Sequence, residues 1–119
     1  MCGIFAAVGP ALSDRALENV FASLRHRGPD GRGLFVDPAA SLTIAHTRLA
    51  IIDLVSGEQP MASEDGEVVL SANGEIYDFE RIRRELEGKG YRFQTKSDSE
   101  VIIYLYKEYG LGCFEHLRG

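Results

Sequence analysis

Met1-Cys2-Gly3-Ile4-Phe5-Ala6-Ala7-Val8-Gly9-Pro10 is the stretch on which the reading of this chain turns. Taken as a leader, it says nothing of the fold; taken as structure, it puts a cysteine at the head of the first strand. It lacks the positively charged start of a signal peptide, and Gly9-Pro10 breaks the apolar run early. A lipid on Cys2 has no polybasic second signal beside it, and one acyl chain alone anchors weakly. Residues 2–9 therefore read as a short buried strand of a mature, cytoplasmic protein. Chain ends are usually the least ordered part of a domain, so a thiol placed there suggests that the terminus itself has a task.

Beyond that strand, Ser13 is a natural N-cap for a helix carrying Leu17, Val20, Phe21 and Leu24 on one face, with Gly28 as its stop. Residues 27–33 (RGPDGRG) are glycine-rich and read as a loop. Residues 33–37 (GLFVD) and 41–54 (SLTIAHTRLAIIDL) read as strands separated by a turn, and 56–67 are polar and turn-rich. Residues 68–79 give a strand, a turn, and then a strand or helix start. Phe79, Ile82 and Leu86 share a face of the next helix, and 91–95 (YRFQT) is a strand candidate. Ser97 and Glu100 have capping-box spacing ahead of an apolar helix that Gly110 can end. The mixture implies sheets and helices in layers, with antiparallel connections.

The length of 119 residues suits one domain. A hydrophobic content of 45% and a charged content of 26% are ordinary for a soluble globular protein. A net charge of -5 gives no electrostatic reason to expect nucleic acid or an anionic membrane as partner. No run is long and apolar enough to cross a bilayer. Cys2 and Cys113 do not make a disulfide scaffold. Cys113 and His116 have a loose metal-like spacing without a second pair, so a buried structural cysteine is expected there. No other Cys, His or carboxylate spacing makes a metal site.

If Met1 is removed, Cys2 carries a free α-amine and a thiol on adjacent carbons. Model thiols titrate near about 8.5 and chain-terminal amines near about 7.7–8.0, so the amine can accept the thiol proton directly or through a water. One residue then supplies both nucleophile and base. Attack on an amide creates an oxyanion that needs donors. The Asn73 carboxamide and the Gly74 N–H stand side by side, although Asn-Gly between apolar runs is by itself a hairpin-turn signal. Arg48 can grip a carboxylate through two parallel hydrogen bonds, or simply end a strand at the surface. Asp98 can hold an ammonium, or cap a helix and complement its dipole. Among His26, His46 and His116, His46 lies in an alternating strand and is expected to pack or hydrogen-bond rather than act as a base.

Six segments in order, MCGIF, RHRGPDGRG, HTRLAIIDL, GEQPM, ANGEIYDF and SDSEVIIYLYKEYG, resemble the N-terminal glutaminase domain of glutamine-hydrolysing asparagine synthetases. That domain is a class II glutamine amidotransferase of the N-terminal-nucleophile hydrolase superfamily, and the resemblance runs from Met1 to Gly119. It implies an α+β fold, a four-layer sandwich of antiparallel sheets between helices. It also implies hydrolysis of L-glutamine to glutamate and ammonia through a thioester on Cys2. By the same resemblance Asn73 and Gly74 are the oxyanion donors, and Arg48 meets the substrate carboxylate. Glu75 and Asp98 meet its amino end, and the backbone of Leu49, Ile51 and Ile52 lines the pocket. Ammonia would pass to an ATP-dependent synthetase domain that makes asparagine from aspartate.

Asp78 stands where the family often has asparagine, and remains a workable helix N-cap; Ser99 stands where threonine is common. Family domains continue past this length, so residues 1–119 read as the N-terminal portion of the domain. The synthetase domain, with its ATP and magnesium, lies outside them. An unfinished sheet exposes edges that invite a homodimer. The competing readings are a non-catalytic binding or assembly module of the same fold, and an amidotransferase with a different acceptor, since acceptor chemistry is not legible from kinship alone.

Overall fold

β1 (Gly3–Val8) forms where the opening stretch predicts it, but it is not buried as expected: alternate residues Ile4, Ala6 and Val8 are exposed, because only its other face is covered. It pairs antiparallel with β3 (Leu42–Arg48), and β3 pairs antiparallel with β2 (Gly31–Asp37), giving the order β1-β3-β2. The register sets Gly3 opposite Thr47 and Ala7 opposite Thr43, and Arg32 opposite Thr47 and Val36 opposite Thr43. Directly opposed residues share a face, so Gly3, Phe5, Ala7, Thr43, Ala45, Thr47, Leu34 and Val36 form one face. α1 (Asp14–Leu24) lies on it, with Thr47 Oγ1 donating to the Leu24 carbonyl at 3.1 Å. His46, Ile44 and Ile4 lie on the other face. The structure is a computed structural model that describes residues 1–51 and 55–119.

The chain divides into two units. The first holds Met1–Ile51, Glu58–Pro60 and Ser71–Asn73; the second is built mainly of Met61–Leu70 and Gly74–Gly119. In the second, β4 (Met61–Ala62) and β5 (Val69–Leu70) pair antiparallel. α2 (Phe79–Gly88), α3 (Glu100–Tyr109) and a 3-10 helix at Gly110–His116 follow. Ile82, Leu86, Val101, Ile103, Tyr104, Leu105, Met61 and Cys113 make the core of this unit, with Phe79 half-buried against it. Cys113 is therefore the buried structural thiol expected, and His116 stacks on Tyr109 at 4.2 Å between ring centres. The whole is an α+β structure with antiparallel sheets and three α-helices among the described residues.

Local signals held where a local interaction decides. The Ser13 side chain accepts from the Ala16 N–H at 3.3 Å and starts α1, while Gly110, at φ 57°, ends α3. Elsewhere tertiary contacts changed the outcome. α1 stops at Leu24, short of Gly28: residues 25–27 turn, with the Arg27 N–H donating to the Leu24 carbonyl at 3.0 Å, and Gly28 lies buried against the Thr47 backbone, where a Cβ would collide. The RGPDGRG segment is not loop throughout, since Gly31–Gly33 already pair in β2. β3 ends at Arg48, short of the strand expected through residue 54; residues 52–54 lie outside the described residues.

The strand expected at 91–95 does not form. Tyr91 and Phe93 turn their rings onto Tyr104 at 5.4 and 4.7 Å, and the backbone is satisfied by side chains instead of a neighbouring strand. Glu100 accepts from the Gln94 and Thr95 N–H groups at 2.7 and 2.8 Å, and Arg83 donates to the Thr95 carbonyl at 2.7 Å. That use of Glu100 also removes the predicted capping box: its carboxylate faces 94–95, and Ser97 Oγ accepts from Ser99 N–H at 3.3 Å. Asp78 occupies the N-cap position of α2 in a left-handed conformation, φ 58°, with no capping bond from its side chain.

Candidate active site

In the first unit the head of β1 carries Cys2, half-buried. Its sulfur lies beside the residue that follows β3: the Leu49 N–H points at Sγ from 3.4 Å, and the Leu49 carbonyl is 3.8 Å away. Its backbone nitrogen donates to Asn73 Oδ1 at 2.9 Å. A carboxamide whose oxygen is held in this way directs its NH₂ group elsewhere, free to donate. Cys2, Leu49 and Asn73 are therefore brought together, although 47 and 71 residues separate the cysteine from the other two.

Several residues that sequence reasoning gave no role hold this arrangement. Arg27 Nε donates to the Cys2 carbonyl at 3.0 Å. Gly3 leaves no room for a side chain, since a Cβ would come within 2.6 Å of Thr47 Oγ1. Asp30 fastens the backbone on either side of Leu49, its N–H donating to the Arg48 carbonyl and its Oδ2 accepting from the Ala50 N–H, both at 2.9 Å. Gln59 Oε1 accepts from the Ala72 N–H at 2.6 Å. Arg27 and Asp30 sit in RHRGPDGRG and Gln59 in GEQPM, so the motifs carried the signal without the roles.

Arg48 ends β3, half-buried, and Ile51 is exposed. His46 is fully buried, with Nδ1 2.9 Å from Ser71 Oγ. Burial, and then the nearby Arg48 cation, push its pKa down to about 4, so it is neutral near pH 7. It hydrogen-bonds and packs, as expected. Gly74, Glu75 and Asp98 belong to the second unit. There Asp98 is buried ahead of α3 and its Oδ2 accepts from the Ile76 N–H at 2.7 Å, while Glu75 is exposed. Neither Asn73 nor Gly74 has the positive φ of the tight hairpin turn their sequence suggests. Ile52 lies outside the described residues. Among the described residues no group of three His, Cys, Asp or Glu side chains is placed to hold a metal ion, and no helix is long and apolar enough to cross a membrane.

A cysteine directly behind Met1, its nitrogen on a carboxamide from a distant segment, is an arrangement suited to amide chemistry, and the chain belongs to the glutamine amidotransferase domain family, which matches residues 1–119. It is 45% identical over 124 residues to asparagine synthetase [glutamine-hydrolyzing] 1 of Arabidopsis thaliana and 44% identical over 123 residues to a probable asparagine synthetase [glutamine-hydrolyzing] of Schizosaccharomyces pombe. It is 40% identical over 133 residues to a protein of Gibberella zeae named Amidase chry2. Each alignment takes in 100% of this chain, and the chain spans about a fifth of the length of these relatives.

Proposed function

We propose that this segment is the glutaminase half of an asparagine-synthetase-like amidotransferase. The observation that carries the reading is the 2.9 Å hydrogen bond from the Cys2 nitrogen to Asn73 Oδ1, beside a sulfur within 3.4 Å of the Leu49 N–H. In the chain as translated that nitrogen is a peptide N–H. Removal of Met1 turns the same atom into the α-amine.

The amine takes the thiol proton, and the sulfur attacks the glutamine side-chain carbonyl carbon. The oxyanion receives hydrogen bonds from the Asn73 NH₂ group and the Gly74 N–H. The C–N bond breaks, the α-ammonium returns its proton to the departing nitrogen, and ammonia leaves a Cys2 thioester. Water then attacks the thioester, giving glutamate and the free thiol. Arg48 binds the substrate α-carboxylate, Glu75 and Asp98 its amino end, and the backbone at Leu49, Ile51 and Ile52 lines the pocket. Ammonia passes to an ATP-dependent synthetase domain outside these residues, where ATP and magnesium act on aspartate. The same reading carries the finer expectation of a four-layer sandwich, in which the β1-β3-β2 sheet and α1 would supply two layers. Support comes from the names of the relatives and the family match over the whole segment.

An intact mass lacking Met1, with glutamate release from glutamine that Cys2→Ala lowers by at least about 1,000-fold, is the expected result. In a chain that includes the synthetase domain, activity with supplied ammonia should survive that change. Loss of both activities would count against a separate nucleophile.

A further inference from the structure

Residues 71–73 lie in neither helix nor strand, so nothing regular in the backbone fixes where the Asn73 carboxamide points. Two side chains hold the two residues before it. Gln59 Oε1 accepts from the Ala72 N–H at 2.6 Å, and His46 Nδ1 shares a 2.9 Å hydrogen bond with Ser71 Oγ. Both anchors are themselves fixed. His46 is 0% exposed in the middle strand, and the Gln59 backbone lies so close to β2 that a Cβ on Gly33 would strike its carbonyl oxygen. His46 Nε2 is buried and has no hydrogen-bond partner among the described residues. An apolar residue would fill that space without leaving a polar atom unpaired, so packing alone does not account for a histidine here.

We propose that Gln59 and His46 are positioning residues for the Asn73 carboxamide, clamping Ala72 and Ser71 so that the Asn73 oxygen meets the Cys2 nitrogen and its NH₂ group faces the reacting carbonyl. The inference rests on Asn73 being an oxyanion donor. A clamp of this kind acts on the transition state: a carboxamide displaced by about 1 Å leaves the substrate bound but the oxyanion poorly served, and such displacements can cost about 100-fold in rate.

The test compares variants that delete each hydrogen-bonding group with variants that keep one. Gln59→Leu removes the oxygen that holds Ala72, whereas Gln59→Glu retains one. His46→Leu removes the bond to Ser71, whereas His46→Asn sets an amide NH₂ near the place of Nδ1, from which the Ser71 hydroxyl can accept. Gln59→Leu and His46→Leu should lower kcat for glutamine hydrolysis by roughly 10- to 100-fold with KM within about threefold, and the Glu and Asn variants should recover most of the loss. The Asn73 side-chain NH₂ resonances, assigned by their disappearance in Asn73→Asp, should broaden or shift in the Leu variants and keep their positions in the conservative ones. Unmoved resonances in a folded Leu variant overturn the clamp, as does a kcat equal to that of the unmutated protein. If His46→Leu fails to fold, Gln59→Leu carries the test alone. Should neither the unmutated segment nor a chain extended to the length of its relatives release glutamate from glutamine, the glutaminase reading fails, and the resonances still decide whether the clamp exists.

Discussion

The two units satisfy their irregular backbone in opposite ways. Around Cys2 the bonds reach across the chain: 71 residues to Asn73, 47 to Leu49 and 25 to Arg27. At 94–100 in the second unit one buried carboxylate, Glu100, binds residues five and six positions before it. Long-range bonds make the position of Cys2 depend on the whole first unit being folded. The short ones make 94–100 a self-contained brace in front of α3. The site proposed at Cys2, which needs a thiol, a nitrogen and a carboxamide in register, gains from the first arrangement, because no single local fluctuation frees one member alone.

The comparison breaks most visibly at Asn73. Asn73→Ala should depress kcat for glutamine hydrolysis by about 100- to 1,000-fold, equivalent to about 2.7–4 kcal/mol of transition-state stabilisation, with a smaller change in KM. Steady-state kinetics of glutamate release checks it, and an unchanged kcat would remove Asn73 from the oxyanion hole. Glu100→Ala tests the local brace. It strands the Gln94 and Thr95 N–H groups and should lower stability by about 3 kcal/mol in urea unfolding, while Glu100→Gln, which keeps an acceptor oxygen, should lose less. Equal losses from the two would mean that charge rather than acceptor geometry holds the segment.

The same contrast explains what could be read from the sequence. β1, the Ser13 cap, the apolar face of α2 and the Gly110 stop were legible because each depends on residues within a turn or on simple periodicity. Cys2 and Asn73 were legible as residue types, and their pairing in the fold was not visible in local spacing. Arg27, Asp30, Gln59 and Ser71 were not, because a side chain that serves one distant backbone group leaves no periodic mark. The 91–95 segment misled for the same reason. Its alternating aromatics fit a strand, and nothing in the pattern reveals that Glu100 and Arg83 take the hydrogen bonds a neighbouring strand would supply.

A smaller effect separates the two regimes by pH. His46 titrates at about 4 in the folded chain against 6.5 in a model histidine, lowered by burial first and then by Arg48. The unfolded chain therefore binds this proton first as pH falls. The contribution of neutral His46 to stability is complete above about 6.5, declines from there to about 4, and is level below, with at most about 3 kcal/mol at stake. Urea midpoints at pH 7, 5.5 and 4 should follow that course, and His46→Asn should flatten it. The same slope in the variant would assign the dependence to other groups.

The smallest effect lies at the most legible position. Ser13 Oγ accepts from the Ala16 N–H at 3.3 Å, a bond spanning three residues on an exposed helix end. Ser13→Ala removes it while water can reach the freed N–H, so the cost should be about 1 kcal/mol. α1 packs on the sheet face behind Gly3 and Thr47 through Leu24, a full helix length from the cap. Loss of the cap should therefore fray residues 13–16 and leave the rate of Cys2 modification by iodoacetamide unchanged, read from intact mass over time. A slowed or accelerated modification would mean that the start of α1 and Cys2 are coupled through the helix, and that the division between local and long-range restraint is not as sharp as the hydrogen bonds draw it.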